Sequence, residues 1–320
     1  MTMPTPADRA ARPSLLTTAL AAPATTMACG AILVVFLGIW SLGSSPSWEQ
    51  VRAWGYLPVE AIWSGSFWAL ATSAFVHVAV WHLGFNLYWM WELGRRVERW
   101  TGTLGWIAFA LGAALVGSSA EVLAASDTGI GASGIVYAFV GLLWRGAPGA
   151  AFAGALPRKT VHLFLVWLAG CYLATRLGWA NVANAAHVAG LAYGILVAEV
   201  RIRREHPRLA LAGLSLMALM VLPGTYLVPW SPRWLEHFGT GSYARGDYKH
   251  AAATFELGLA FGGADSAYAL FHLAVAYDKL GDRARSHAAL ATLRRLNPGV
   301  ADTVDAYLAV KASLPDSGGH

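Results

Sequence analysis

The sequence predicts an all-α membrane protein with seven spanning helices, followed by a small soluble α-helical repeat domain. Three observations predict it. The 320-residue chain is 56% hydrophobic and only 13% charged, with a mean hydropathy of +0.47, where an average soluble domain is nearer a quarter charged. Apolar runs long enough to cross a bilayer, roughly 17 to 25 residues each, recur along its first two thirds. After Trp230 the composition changes, and Ala and Leu mix with Asp, Arg and Lys in the manner of soluble helices.

The candidate spans lie near 27–44, 74–94, 103–124, 132–147, 160–178, 184–202 and 209–228. Ahead of them, residues 1–27 carry Arg9 and Arg12 in a segment rich in Pro, Ala and Thr, with no apolar run and cleavage site of a secretory signal; the expectation is a disordered cytoplasmic tail. Basic residues collect in every second loop: Arg95, Arg96 and Arg99 after the second span, Arg145, Arg158 and Lys159 around the fourth loop, and Arg201, Arg203, Arg204 and Arg208 after the sixth. Since Lys and Arg near span ends stay in the cytoplasm, the amino terminus is predicted inside and the loop "ASDTGIGA" outside. The first external loop, about 44–71, holds Trp48, Trp54, Trp63 and Trp68, rings that favour the membrane interface. Short helices in the headgroup layer are expected there.

A net charge of +5, dispersed in short clusters between apolar segments, argues against nucleic acid as a partner. Cys29 and Cys171 both fall inside apolar spans, where a cysteine acts as a small buried hydrophobe.

Beyond the seventh span (206–230), residues 231–316 contain "YARGDYKHAAATFELGLA" and "YDKLGDRARSHAALATL", with the Gly-Asp pairs at Gly246 and Gly281 thirty-five positions apart. This is similar to a tetratricopeptide array, whose helical hairpins repeat at about 34 residues. About two repeats and a final helix, 300–314, fit.

Polar groups inside spans are costly in hydrocarbon, so each is a functional candidate. The second span places His82 and Asn86 four residues apart, on one helical face. The fourth begins at Ser133 with Tyr137 one turn on, and the sixth sets His187 ahead of Gly190 and Gly194. A helix from Ser133 to Arg145 is about 18 Å long against a hydrocarbon core near 30 Å. Anchored at the cytoplasmic face, it stops short of the outer surface. Its serine then lies below the boundary, reached by a dipping loop for which Gly129, Gly131 and Gly134 supply the conformational freedom. A helix N-terminus also favours negative charge. A serine needs a base, and the imidazole of His187 can serve; the spacing of Gly190 and Gly194 lets two helices approach closely enough for the two to meet. His82, Asn86 and the Ser133 N–H would face a developing oxyanion, and Tyr137 would stack on the imidazole. Taken singly, such a Ser is most often an N-cap and such a His or Asn interhelical glue; the joint pattern is harder to obtain by chance.

The order of His77, His82 and Asn86, then "GIGASG", then "AHVAGLAYG" resembles the rhomboid intramembrane serine proteases, across about residues 28 to 202. The resemblance implies a six-helix rhomboid-like bundle at 28–205, with the seventh span and the repeats as additions, in a bacterial inner membrane. It implies cleavage of transmembrane protein substrates near the outer membrane face by a dyad of Ser133 and His187, an oxyanion hole of His82, Asn86 and the Ser133 backbone, a supporting backbone role for Gly131, and a structural one for His77. No metal or organic cofactor is implied, and lipid and water are the small partners. Where the family often carries Trp-Arg at the end of its first external loop, this chain reads Trp68-Ala69, so that anchor is missing.

The rival readings are weaker. "DTG" at Asp127 marks two-lobed β enzymes with paired aspartates, and here it stands once in a helical protein. A metalloprotease would carry H-E-x-x-H, which is absent from the sequence. Glu121, near the outer end of the third span, is read as an unpaired carboxylate reaching the interface in preference to one holding the hydrolytic water. The alternative from another class is a noncatalytic rhomboid-like protein that binds and escorts membrane clients; such a protein usually lacks the serine or the histidine, and both are present. A transporter would show paired intramembrane charges, and none trace a pathway here. The odd number of spans places the repeat domain outside, where its groove would capture a protein partner or a substrate ectodomain.

Overall fold

A computed structural model describes residues 14–146, 156–263, 266–300 and 306. The chain divides into two compact units, Met1–Tyr226 and Leu227–His320, and no strand occurs among the described residues.

The first unit begins earlier than its apolar pattern suggested. Ser14 caps a short helix, α1 (Leu15–Leu20), by accepting the Thr17 N–H, and Pro23 opens α2 (Pro23–Trp40) at the first helical position, where its missing N–H is no loss. Residues 14–27 are therefore mostly helical where a disordered tail was expected; residues 1–13 lie outside the described residues. The first long loop carries α3 (Trp48–Arg52), α4 (Val59–Trp63) and α5 (Ala69–Thr72). Only part of its aromatic set points outward. Trp48 and Trp68 are exposed, but Trp63 is buried, and the Trp54 indole lies over Gly38 of α2, where a Cβ would stand 2.1 Å from the ring. Ala69 is fully buried, and the loop around it is tied by Thr72 Oγ1 donating to the Gly55 carbonyl and Ser118 Oγ donating to that of Leu70, both at 2.8 Å.

The second and third expected spans form one helical run, α6 (Val80–Ala125), interrupted at Gly102, whose φ of 71° and ψ of 168° are not helical. There follow α7 (Ser133–Arg145), α8 (Arg158–Arg176), α9 (Asn184–Ala198) with a π-helical turn over Glu199–Arg203, and α10 (Pro207–Tyr226). Pro23–Trp40, Val80–Ala125 and Asn184–Arg203 are long and apolar enough to cross a membrane, while Ser133–Arg145 and Pro207–Val221 are apolar but shorter. The helix expected over 160–178, α8, carries Arg158, Lys159 and Arg176 at its ends.

α7 is the centre of this unit. Every residue from Ile135 to Leu143 is buried, as expected of a helix apolar all round, and α2, α6 and α9 pack about the core it fills. α2 is tied to α6 by one carboxylate. Glu98, 2% exposed, accepts the N–H groups of Ala24 and Thr25 and the Thr25 hydroxyl, each at 2.8 Å, and the Thr103 hydroxyl at 3.0 Å. Ala22 at the N-cap of α2 offers no side-chain acceptor, so Glu98 does the capping from another helix.

The second unit contains α11 (Pro232–Ala244), α12 (Tyr248–Gly258), α13 (Ala267–Lys279) and α14 (Arg283–Leu296). The repeated Gly-Asp pair has a physical role in both copies. Gly246 and Gly281 take φ of 80° and 77°, and their N–H groups donate back to Tyr243 and Asp278 while those of Asp247 and Asp282 donate to Ser242 and Tyr277, at 2.9 to 3.0 Å, closing α11 and α13 with the same left-handed motif. The aspartates then cap α12 and α14, accepting the N–H groups of His250 and Arg285. Those accepted bonds, first among several causes, hold both carboxyls below the usual range. Phe255 of α12 fills the space over Gly239 of α11, and the positions thirty-five later, Ala274 and Leu290, are buried in the same core. Of the final helix expected at 300–314, only residue 306, which is helical, lies within the described residues after 300.

Replacing Glu98 by Ala strips the acceptor from two buried N–H groups and two hydroxyls, so Glu98→Ala is expected to lose about 3 kcal/mol or more of stability and Glu98→Gln clearly less. Denaturant unfolding in detergent micelles measures this; an Ala variant as stable as wild type would show that the cap carries no weight.

Candidate active site

The site is assembled where α6 ends, α7 and α9 begin, and the first long loop returns to α6. Ser126, in the left-handed region at φ 52°, ends α6, and the loop that follows is pinned at two points before it enters α7. The Gly131 N–H donates to the Ser73 carbonyl at 3.0 Å, and the Ala132 N–H donates to His77 Nε2 at 3.4 Å. Since His77 Nδ1 lies 3.2 Å from the Phe75 carbonyl, one tautomer satisfies both bonds: Nδ1 carries the proton and Nε2 accepts. Gly131 has no substitute here. Its φ is +98°, and a Cβ would stand 2.5 Å from Cε1 of His82.

Ser133 is the first residue of α7, with Ala132 as an N-cap that has no side-chain acceptor. Its Oγ lies 2.7 Å from Nε2 of His187, which stands in the first turn of α9. The close approach of the two helices explains the distance. A Cβ on Gly190 would stand 2.2 Å from the Gly134 carbonyl, one on Gly194 2.0 Å from that of Ala138, and one on Gly141 2.2 Å from that of Leu191. Backbone therefore meets backbone along the seam, as small residues allow. The imidazole stacks on Tyr137, with ring centroids 4.7 Å apart and planes at 30°, and the Tyr137 hydroxyl donates to the Phe164 carbonyl of α8 at 3.0 Å. His187 is 4% exposed, and its Nδ1 has no partner among the described residues. An aromatic ring, not a carboxylate, orients it.

His82 lies beside Gly131 and 4.7 Å from the His77 ring. Asn86 is fully buried, its amide Nδ2 donating to the His82 carbonyl at 2.9 Å and its Oδ1 unpartnered among the described residues. A cavity opens at Ser133 between small residues, with Ala74, Ala113, Ala114 and Gly117 in its walls. Among the described residues no three His, Cys, Asp or Glu side chains are grouped to hold a metal ion.

Glu121 departs from the sequence reading. It is buried, not at an interface, and its Oε2 accepts the Ala186 N–H at 3.2 Å. Ser73, whose carbonyl holds the loop, was not singled out either; a backbone acceptor leaves no trace in residue type.

The comparisons with known proteins bear on the same region. Residues 64–204 match the rhomboid domain. The rhomboid protease GlpG of Pectobacterium atrosepticum is 35% identical over 168 residues, 52% of this chain. The chain spans 60% of the length of that relative. The matched stretch contains the loop, Ser133, His187, His82 and Asn86, whereas α1 to α4, α10 and the second unit lie outside it. Together with its apolar helices, the match makes the chain a multi-pass integral membrane protein.

A methyl group tests the seam. Gly190→Ala puts its Cβ into a backbone carbonyl that cannot rotate aside, at an expected loss of about 2–3 kcal/mol. Gly170→Ala, on a position with open space around it, should leave stability unchanged or raise it by about 0.5 kcal/mol. Equal unfolding midpoints for the two variants would contradict the packing described.

Proposed function

We propose that this chain is an intramembrane serine endopeptidase that cleaves transmembrane protein substrates near the outer membrane face with a dyad of Ser133 and His187. The observation that carries the reading is the 2.7 Å contact between Ser133 Oγ and His187 Nε2 at the head of a 13-residue helix. At about 18 Å, that helix is too short to reach across a hydrocarbon core.

In this reading His187 Nε2 takes the Ser133 proton as Oγ attacks the scissile carbonyl carbon, then returns it to the leaving amine; water repeats the sequence on the acyl-enzyme. Tyr137 keeps the imidazole in register, since no acidic third member is involved. The oxyanion would be met by the Ser133 N–H, unpaired within its helix as a first-turn donor, by His82, and by Asn86, whose amide has a second N–H beyond the one given to the His82 carbonyl. A missing donor of this kind costs roughly 3–4 kcal/mol in the transition state. Gly131 and His77 hold the loop that aims these groups. The small residues of the cavity leave space beside the serine.

The seventh span, with the amino terminus inside, sets the second unit on the outer side of a bacterial inner membrane. Supporting this, the Tyr226 ring at the end of α10 packs on Phe67 of the first long loop, centroids 5.0 Å apart, so α10 ends at the loop end of the bundle. The tetratricopeptide-like unit there would gather a protein partner or substrate ectodomains at the cleft. An escort that binds clients without cutting them is the other reading, and a preserved Ser–His contact disfavours it.

A fluorophosphonate probe should label wild type in detergent and neither Ser133→Ala nor, beyond about a thousandth of the rate, His187→Ala. In liposomes carrying a model transmembrane substrate the same variants should be inert. A folded wild type that takes no label supports the escort. Topology is tested separately: a cysteine introduced at exposed Arg283 should react with an impermeant maleimide in intact cells, and reaction only after permeabilisation puts the second unit in the cytoplasm.

A further inference from the structure

Glu121 lies apart from the reacting groups, yet it bears on where one of them stands. α9 starts from Ala183, an N-cap with no side-chain acceptor, so no local side chain caps the N–H groups of its first turn. His187 is in that turn, its own N–H donating to the Ala183 carbonyl at 3.2 Å. The residue before it, Ala186, gives its N–H to Glu121 Oε2 at 3.2 Å. Glu121 is 7% exposed and belongs to α6, 65 residues away in sequence.

The glycine seam leaves this role open. Gly190 and Gly194 set how near α9 comes to α7, but a surface of glycines has few ridges to oppose sliding along the helix axis. A hydrogen bond at the helix head opposes that sliding directly. One turn before Glu121, on the same face of α6, Gly117 packs against the same residue: a Cβ there would be in ordinary contact with the Ala186 carbonyl oxygen at 3.4 Å, as would one on Gly134 of α7 at 3.5 Å. Ala186 is thus seated between two glycines on different helices and held by one carboxylate. With Ser133 and His187 at 2.7 Å, a slip of about half an ångström already takes the pair to the limit of a good hydrogen bond.

We propose that Glu121 is a positioning residue for the reaction: it caps α9 from α6 and thereby fixes the axial placement of His187 against Ser133. The inference rests on the dyad reading of the site. What matters is an acceptor of the right reach, since charge is not needed to receive an N–H.

Four variants test it by cleavage kinetics on a transmembrane substrate in liposomes, with unfolding midpoints measured alongside. Glu121→Gln keeps an acceptor at the same reach and should hold kcat within about threefold of wild type, whereas Glu121→Leu should lower kcat by about 10- to 100-fold at unchanged KM, the scale of a misplacement of about an ångström. Glu121→Asp keeps the charge but falls one methylene short, and should be as slow as Leu. Adding Ala183→Ser to Glu121→Leu supplies a local N-cap for the same first turn and should restore most of kcat. An Asp or folded Leu variant with wild-type kcat overturns the inference, as does a Gln variant no faster than Asp. Should the Leu variant not fold, the comparison of Gln with Asp decides alone. A wild type that does not cleave, or a Ser133→Ala that does, ends the dyad reading itself; an active wild type beside a fully active Glu121→Asp ends only this one.

Discussion

A helix that begins in apolar surroundings exposes N–H groups that nothing nearby can satisfy, and buried carboxylates reached from another helix answer that constraint here. The helices α2 and α9 both start from alanine, which cannot cap. Glu98 and Glu121, both on α6, supply the missing acceptors across 73 or 74 residues in one case and 65 in the other. Ahead of α10 the same device recurs, with Glu199 accepting the His206 N–H at 2.6 Å while Arg145 donates to its second oxygen at 3.2 Å. A buried carboxylate with several charge-assisted bonds is tolerable where a bare one is not. Because the acceptor and the donors belong to different helices, each cap is also a tie. α6 thereby becomes the part against which α2 and α9 are both indexed.

The packing of α9 on α7 completes that indexing. Apolar side chains fill α7 all round, so its neighbours are placed by shape, and on one side the shape is a line of glycines. Where Gly190, Gly194 and Gly141 remove Cβ atoms, the backbones approach as no larger residue would permit, and His187 reaches Ser133 from a neighbouring rod. The residues that look least chemical in this sequence set the distance between the two that look most so. Tyr137 contributes the remaining degree of freedom, the tilt of the imidazole, and is itself held by the Phe164 carbonyl.

Much of this architecture was legible in the residues. Apolar runs marked most of the long helices of the first unit, although the one expected over 74–94 begins at Val80 and runs on past Gly102, and the spacing of His82 with Asn86, Ser133 with Tyr137, and Gly190 with Gly194 pointed to the cluster, because each pair lies within one or two turns of one helix. The thirty-five-residue spacing of Gly246 and Gly281 likewise marked where α11 and α13 end and α12 and α14 begin, since stop and start signals are local chemistry. What escaped was non-local. Residues 14–27 read as a tail by composition, although Ser14 and Pro23 are helix-start signals and Glu98 holds the helix from far along the chain. Trp54 and Trp63 read as interfacial because ring chemistry says nothing of which way a loop folds, and it takes Gly38 on another helix to receive the first of them. Glu121 read as unpaired because its partner is a backbone N–H, and every residue has one.

Set against these capped helices, the head of α7 gives the site its character. Its N-cap is alanine too, yet among the described residues no carboxylate reaches its first turn. The loop donors just ahead of it, at Gly131 and Ala132, are taken by Ser73 and His77, so the chain satisfies the approach to the helix and leaves the helix head itself open beside a cavity. Unpartnered donors at such depth cost about 1–3 kcal/mol each unless water or a ligand meets them. A fourth buried glutamate would remove that cost, as Glu98 and Glu121 do for α2 and α9, but its negative charge would occupy the place where the oxyanion of the proposed reaction would form. In the hydrolase proposed above, the same open donors would meet the developing charge.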